Sequence, residues 1–190
     1  MAKGTGKTLV KKKKTWIAVY GSGNYEGLQL GETLAEKPSD LMGRVIETNL
    51  SDISREVKRQ NTKLLFKVNN INEGKVMADV VGYATMASHV RRSSQKIKNK
   101  MNDSFTCSTK DNVKVQLKPM MMTKATAQKG VLSQIRMGAR AALTNEVAGL
   151  SYNEMLDSIT GYRLQKIVKE KLKKIMPLSV CDIRMMERLS

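Results

Sequence analysis

The sequence predicts an α+β protein: an antiparallel, barrel-like β core, C-terminal helices packed against it, and a disordered basic arm at the N-terminus. Three observations carry this. Apolar residues alternate with period two through much of residues 15–123. From about residue 124 the period lengthens to that of a helix. After Pro177 the alternation returns for one last run. Strands, then helices, then one closing strand is the order of an α+β unit. The expected division is an arm over 1–14, a β-rich core over 15–123, and a helical segment over 124–190 whose last strand returns to the core, all one structural unit.

The arm, "MAKGTGKTLVKKKK", holds six lysines, two glycines and no acid, so it lacks the apolar content to collapse alone. "TWIAVY" (15–20) reads as the first strand and "GSGNYEG" (21–27) as a glycine-rich loop. "GRVIETNL" (43–50) reads as a second strand. "KLLFKVNN" (63–70) puts Leu64, Phe66 and Val68 on one face, and "KVMADVVGY" (75–83) returns after an "NEG" turn, giving a hairpin. Residues 84–96 lose the alternation and read as a short helix. Ile97, Met101, Phe105 and Cys107 then share a strand face. "KDN" (110–112) turns the chain into "VKVQLKPM", with Val113, Val115 and Leu117 on one face and Lys114, Gln116 and Lys118 on the other. Met120, Met121 and Met122 read as core filling where strand gives way to helix.

Val131, Ile135, Ala139, Ala142, Val147 and Leu150 trace a helical stripe. "SYNE" (151–154) matches a capping box, with Ser151 as N-cap and Glu154 three residues on; Gly161 suits that helix's end. Leu164, Ile167, Val168, Leu172 and Ile175 mark a further helix, stopped by Pro177. "SVCDIRMM" closes the chain as a strand with Cys181, Ile183 and Met185 on one face.

A net charge of +17 on 190 residues opposes compaction and calls for a polyanionic partner. Nucleic acid is the expected one. No run approaches the roughly 18 apolar residues of a membrane span, and no apolar segment follows the basic start, so neither a membrane nor secretion is expected. Cys107 and Cys181 match no metal spacing and read as small core hydrophobes in a reducing, cytoplasmic compartment.

Catalytic constellations are not expected. "GTGKT" would need a glycine five residues before Gly6, and that position is Met1, so Lys7 is not read as a nucleotide ligand. "GSG" at 21–23 is followed by Glu26 where a dinucleotide loop needs glycine. The sole histidine, His89, sits among cations, and the acids are scattered rather than spaced for metal binding. No catalytic residue, metal, cofactor or small-molecule substrate is expected.

The cations, by contrast, cluster. Lys3, Lys7, Lys11, Lys12, Lys13 and Lys14 fill the arm; Arg91, Arg92, Lys96, Lys98 and Lys100 fall within ten residues without an acid. Lys129, Arg136 and Arg140 lie roughly on one helix face around Ser133. Arg44, Lys118, Lys124 and the aromatic Trp16 complete the expected RNA-facing set. Lys166, Lys169 and Lys173 follow helical spacing but are interrupted by Glu170 and read equally well as a solvated face. Aromatics being few, recognition of folded RNA by shape and phosphate contacts fits better than readout of splayed bases.

Two stretches carry a family resemblance: "TWIAVY" with "LGETLAEKPSDLMGRVIETNLSDI" (30–53), and "KIMPLSVCDIRMMERL" (174–189). With Gly31-Glu32-Thr33, then Leu41, Gly43, Arg44, Val45 and Glu47, then Pro177-Leu178 and Ile183-Arg184, the chain resembles the archaeal and eukaryotic small-subunit ribosomal protein family eS-one, S-three-A-e in older naming. "TKDNVKVQLKPM" (109–120) resembles the family's central hairpin, with Asn112 where glycine is common. The resemblance implies a barrel-like core with C-terminal helices on the platform of the small subunit near the mRNA exit. It implies small-subunit rRNA and neighbouring platform proteins as partners, mRNA within reach, and no catalytic residues. A free nucleic-acid-binding protein, chromosomal or an RNA chaperone, is the alternative that charge alone allows.

Overall fold

A computed structural model describes residues 13–72, 75–94 and 99–189. Nine strands and five α-helices are found among them: β1 (Thr15–Gly21), β2 (Gln29–Ala35), β3 (Val45–Asn49), α1 (Leu50–Ser54), β4 (Thr62–Asn72), β5 (Lys75–Thr85), α2 (Ala87–Ser94), β6 (Lys100–Asn102), β7 (Phe105–Ser108), β8 (Lys114–Thr123), α3 (Lys129–Ala148), α4 (Tyr152–Thr160), α5 (Arg163–Lys173) and β9 (Leu178–Arg188). The class is α+β. The strands form one mixed sheet along the path β2-β1-β5-β9-β8-β6, with β3 pairing β4, β4 pairing β5 and β7 pairing β8. The path has two ends, so the sheet is open and the barrel-like closure does not occur. Nor is the sheet purely antiparallel, since β1 and β5 run parallel.

The chain divides into two compact units, and β4 and β5 run through both. The first comprises residues up to 46 together with 67–79. Its core holds Val19, Leu30, Ala35, Leu41, Val68, Val76 and Ala78. Antiparallel β1–β2 pairing runs from Thr15↔Ala35 to Val19↔Gly31. β2 has no clean apolar alternation, and only Leu30 and Ala35 are buried, so it escapes a reading by pattern. The 21–27 loop is tied down at both ends. Gly21 N–H donates to the Leu28 carbonyl, and the Ser22 hydroxyl donates to the Ala78 carbonyl and to Asp79. A Cβ on Gly21 would stand 2.5 Å from the Tyr25 carbonyl oxygen, which is why glycine is required there.

The second unit comprises residues 47–66 and 80–190. The capping box forms as expected: Ser151 Oγ accepts from Glu154 N–H, and Ser151 N–H donates to Glu154 Oε2 at 2.9 Å. The helical stripe buries Ile135, Ala139, Ala142 and Val147. Asn112, in the β7–β8 turn, takes φ 58°, a left-handed conformation that Asn tolerates.

The triplet Met120–Met122 is buried throughout. Consecutive strand residues point to opposite faces, so β8 must be covered on both sides. Val115, Leu117, Pro119, Met121 and Thr123 form one buried face. On the other, Met120 and Met122 pack with Val90 of α2 and Val180 of β9. The closing strand departs from its expected phase. Lys118 pairs with Met185, but Pro119 pairs with Ile183, leaving Arg184 in a bulge. Pro119 has no N–H for the ladder, and a bulge is where a sheet accommodates proline. Beyond the bulge Met186, not Met185, is buried.

Candidate nucleic-acid interface

Residues directly opposed in an antiparallel pair share a face. Lys100 opposes Met122 and Asn102 opposes Met120, so both lie on the α2 side of the sheet. Lys118, two and four residues before Met120 and Met122, lies there as well. α2 covers only the Met120–Met122 end, so Gln116 and Lys118 stay half-exposed. Arg91 and Arg92 stand exposed on α2 itself. Arg184, pushed out by the bulge, joins Lys118, Asn102, Asp103, Ser104 and Pro119 around a hollow of about 310 Å³. Thus one sheet face gathers Arg91, Arg92, Lys100, Lys118 and Arg184. Among the described residues no carboxylate forms an ion pair with any of them. Unpaired cations on a polar sheet face can each exchange condensed counterions for a phosphate.

The remaining candidates distribute differently. Arg140, itself exposed, is engaged within the chain: Nε and Nη2 donate to the two carboxylate oxygens of Asp103 at 3.2 and 2.9 Å, and its guanidinium sits 5.4 Å from the Phe105 ring centre. Its fork is thereby committed to positioning the β6–β7 turn. Lys129 and Arg136 are exposed on α3. Lys124 borders a second hollow, about 270 Å³, with Lys169, Glu170, Lys173, Pro177 and Leu178. Lys169 Nζ there donates to the Ser179 carbonyl at 3.0 Å. Arg44 is exposed and donates to Thr33 Oγ1 at 2.6 Å. Lys13 and Lys14 are exposed at the start of the described chain. Lys3, Lys7, Lys11, Lys12, Lys96 and Lys98 lie outside the described residues, as does the disorder expected of the arm. Trp16, in the expected RNA-facing set, is 68% exposed on β1, because the strand turns Ile17 and Val19 to the other side.

Arg184 was not among the expected cations. Its exposure depends on the bulge, and the one hint in the sequence is Pro119 inside a central strand. Burial pushes the thiols of Cys107 and Cys181 up to about 11, so both are poor nucleophiles and pack as small apolar groups. Asp182 is buried next to Cys181, and desolvation raises its carboxyl above the usual range, against the hydrogen bonds from Ile183 N–H and Gln165 and the nearby His89.

The described cations thus gather on one face of a sheet in an α+β fold. The Ribosomal S3Ae family model matches residues 6–190, and the chain belongs to that family. It is similar to small ribosomal subunit protein eS1 of Methanobrevibacter smithii, 27% identical over 186 residues that cover 96% of each chain. The protein of the same name from Methanothrix thermoacetophila is 26% identical over 179 residues, 94% of this chain and 85% of the relative. That from Desulfurococcus amylolyticus is 26% identical over 172 residues, 90% of this chain and 81% of the relative. No helix among the described residues is long and apolar enough to cross a membrane.

Proposed function

We propose that this chain is a structural constituent of the small ribosomal subunit, working in the cytoplasm without catalytic residues. It binds small-subunit rRNA through the α2-side sheet face and the N-terminal lysines, on the platform near the mRNA exit and beside neighbouring platform proteins. The observation that carries the reading is the set of unpaired cations, Arg91, Arg92, Lys100, Lys118 and Arg184, gathered on the one sheet face that the helices α3–α5 leave uncovered. Phosphate contacts of this kind supply affinity and register rather than sequence readout. Family membership supplies the ribosomal setting.

The test is sedimentation of a cell extract. Strict co-migration with small subunits through a moderate-salt wash is expected; release in that wash would favour a free nucleic-acid-binding protein instead. Binding of purified chain to small-subunit rRNA should lose affinity with log[salt] at a slope of about −6 to −7, if roughly eight phosphates are neutralised. A slope shallower than about −2 would remove the charge argument. Exchanging Arg91, Arg92, Lys100, Lys118 and Arg184 for Gln should flatten it by about three to five units.

A further inference from the structure

We propose that the outer face of the β1–β2 hairpin is a stacking platform for unpaired nucleotides of the small-subunit RNA, with Trp16 as its principal ring. The inference rests on the ribosomal reading above. β1 turns Ile17 and Val19 inward, which leaves Trp16, Ala18 and Tyr20 on the opposite side, with exposed Lys14 just before the strand. Across the hairpin Trp16 opposes Leu34 and Ala18 opposes Glu32. On the other flank β5 runs parallel, with Met77 beside Tyr20, and Lys75 Nζ stands 6.0 Å from the Tyr20 ring centre. Two aromatic side chains therefore share a face about 13 Å apart along the strand, with Lys13 and Lys14 at one end and Lys75 at the other. The nearby acids are already hydrogen-bonded: Glu32 accepts from Gln29, and Asp79 accepts from Ser22 and Asn69.

An indole that is 68% exposed beside a Leu34 that is 41% exposed is an apolar surface in want of a partner. The centre of a protein–protein interface is depleted of charge, whereas here lysines bracket the rings. Aromatic side chains flanked by cations are what single-stranded polynucleotide uses: the base lies on the ring, and its phosphates meet the lysines. A duplex has no open base face to offer such a ring.

Trp16 is the sole tryptophan, so the emission of the intact chain reports this one ring. The purified full-length protein is titrated with an oligouridylate, with a duplex of equal length and with inorganic polyphosphate. Saturable quenching by the single strand alone is expected. In filter binding, Trp16→Ala should weaken the single strand about five- to a hundred-fold, leave the duplex unchanged, and leave the melting curve as it was. Trp16→Phe should restore most of the loss. In assembled small subunits, ultraviolet cross-linking should join the Trp16 peptide to an unpaired rRNA nucleotide. Equal quenching by polyphosphate, unaltered single-strand affinity in Trp16→Ala, or a cross-link only to messenger or to a neighbouring protein would overturn the platform. Any of these, with rRNA binding intact, leaves the ribosomal reading standing; loss of rRNA binding by the unaltered chain removes both.

Discussion

Met121 and Met122 are neighbours in the chain, yet their side chains enter different packing environments. Met122 lies with Met120, Val90 and Val180 beneath α2. Met121 opposes Met101 and Cys181 on the helix-covered face. Both are 0% exposed. Burying such a side chain is worth about 1.5–3 kcal/mol, and truncation leaves a cavity besides, so Met121→Ala and Met122→Ala should each cost about 2–5 kcal/mol. At this chain length each kcal/mol lowers the melting midpoint by about 2–4 °C. Met137→Ala is the control: the side chain is 69% exposed, and the cost should stay within about 0.5 kcal/mol. Urea unfolding of the purified chain measures all three. The double variants add a sharper test. Met120 and Met122 share a cluster and should couple by about 0.5–3 kcal/mol, whereas Met121 and Met122 should be closer to additive. If either Met121→Ala or Met122→Ala costs less than about 1 kcal/mol, one face of β8 is open and the two-sided core is wrong.

Ser151→Ala removes half of the capping box of α4 and should cost about 1 kcal/mol, within a range of about 0.5–2, read as a melting midpoint about 2–4 °C lower; no change would mean the cap is not formed. Asp182 holds its proton more tightly in the folded chain than in the unfolded one, so stability is greatest below the usual carboxylate range and falls as pH rises through the raised value. Asp182→Asn should flatten that fall in melts taken from acid to neutral pH, and an unchanged pH slope would assign it to other groups. Deleting residues 2–14 should leave the melting midpoint of the isolated chain nearly unchanged while flattening the salt slope of RNA binding by several units, since six lysines go; a melted domain or an unaltered slope counts against the arm as a phosphate-binding tail.

Local chemistry was enough for the elements whose reason lies within a few residues. Ser151 and Glu154 satisfy each other's backbone, so α4 was readable from four letters. Leu64, Phe66 and Val68 alternate because one face of β4 is buried. β2 and α1 were not readable. β2 is a strand because β1 offers it a partner, and its own residues, with Gly31 and Glu32 mid-run, show no period. The candidate interface divides along the same line. That Arg91, Arg92 and Lys100 form a basic group is visible in their spacing, but that Lys118 joins them follows from cross-strand register. Arg184 joins through a bulge opposite Pro119, and the pairing of Arg140 with Asp103, 37 residues away, is likewise not visible in the spacing. Trp16 shows the limit most plainly. A β-strand's alternation tells which residues share a side, but only the elements that pack against one side decide which of the two is the core.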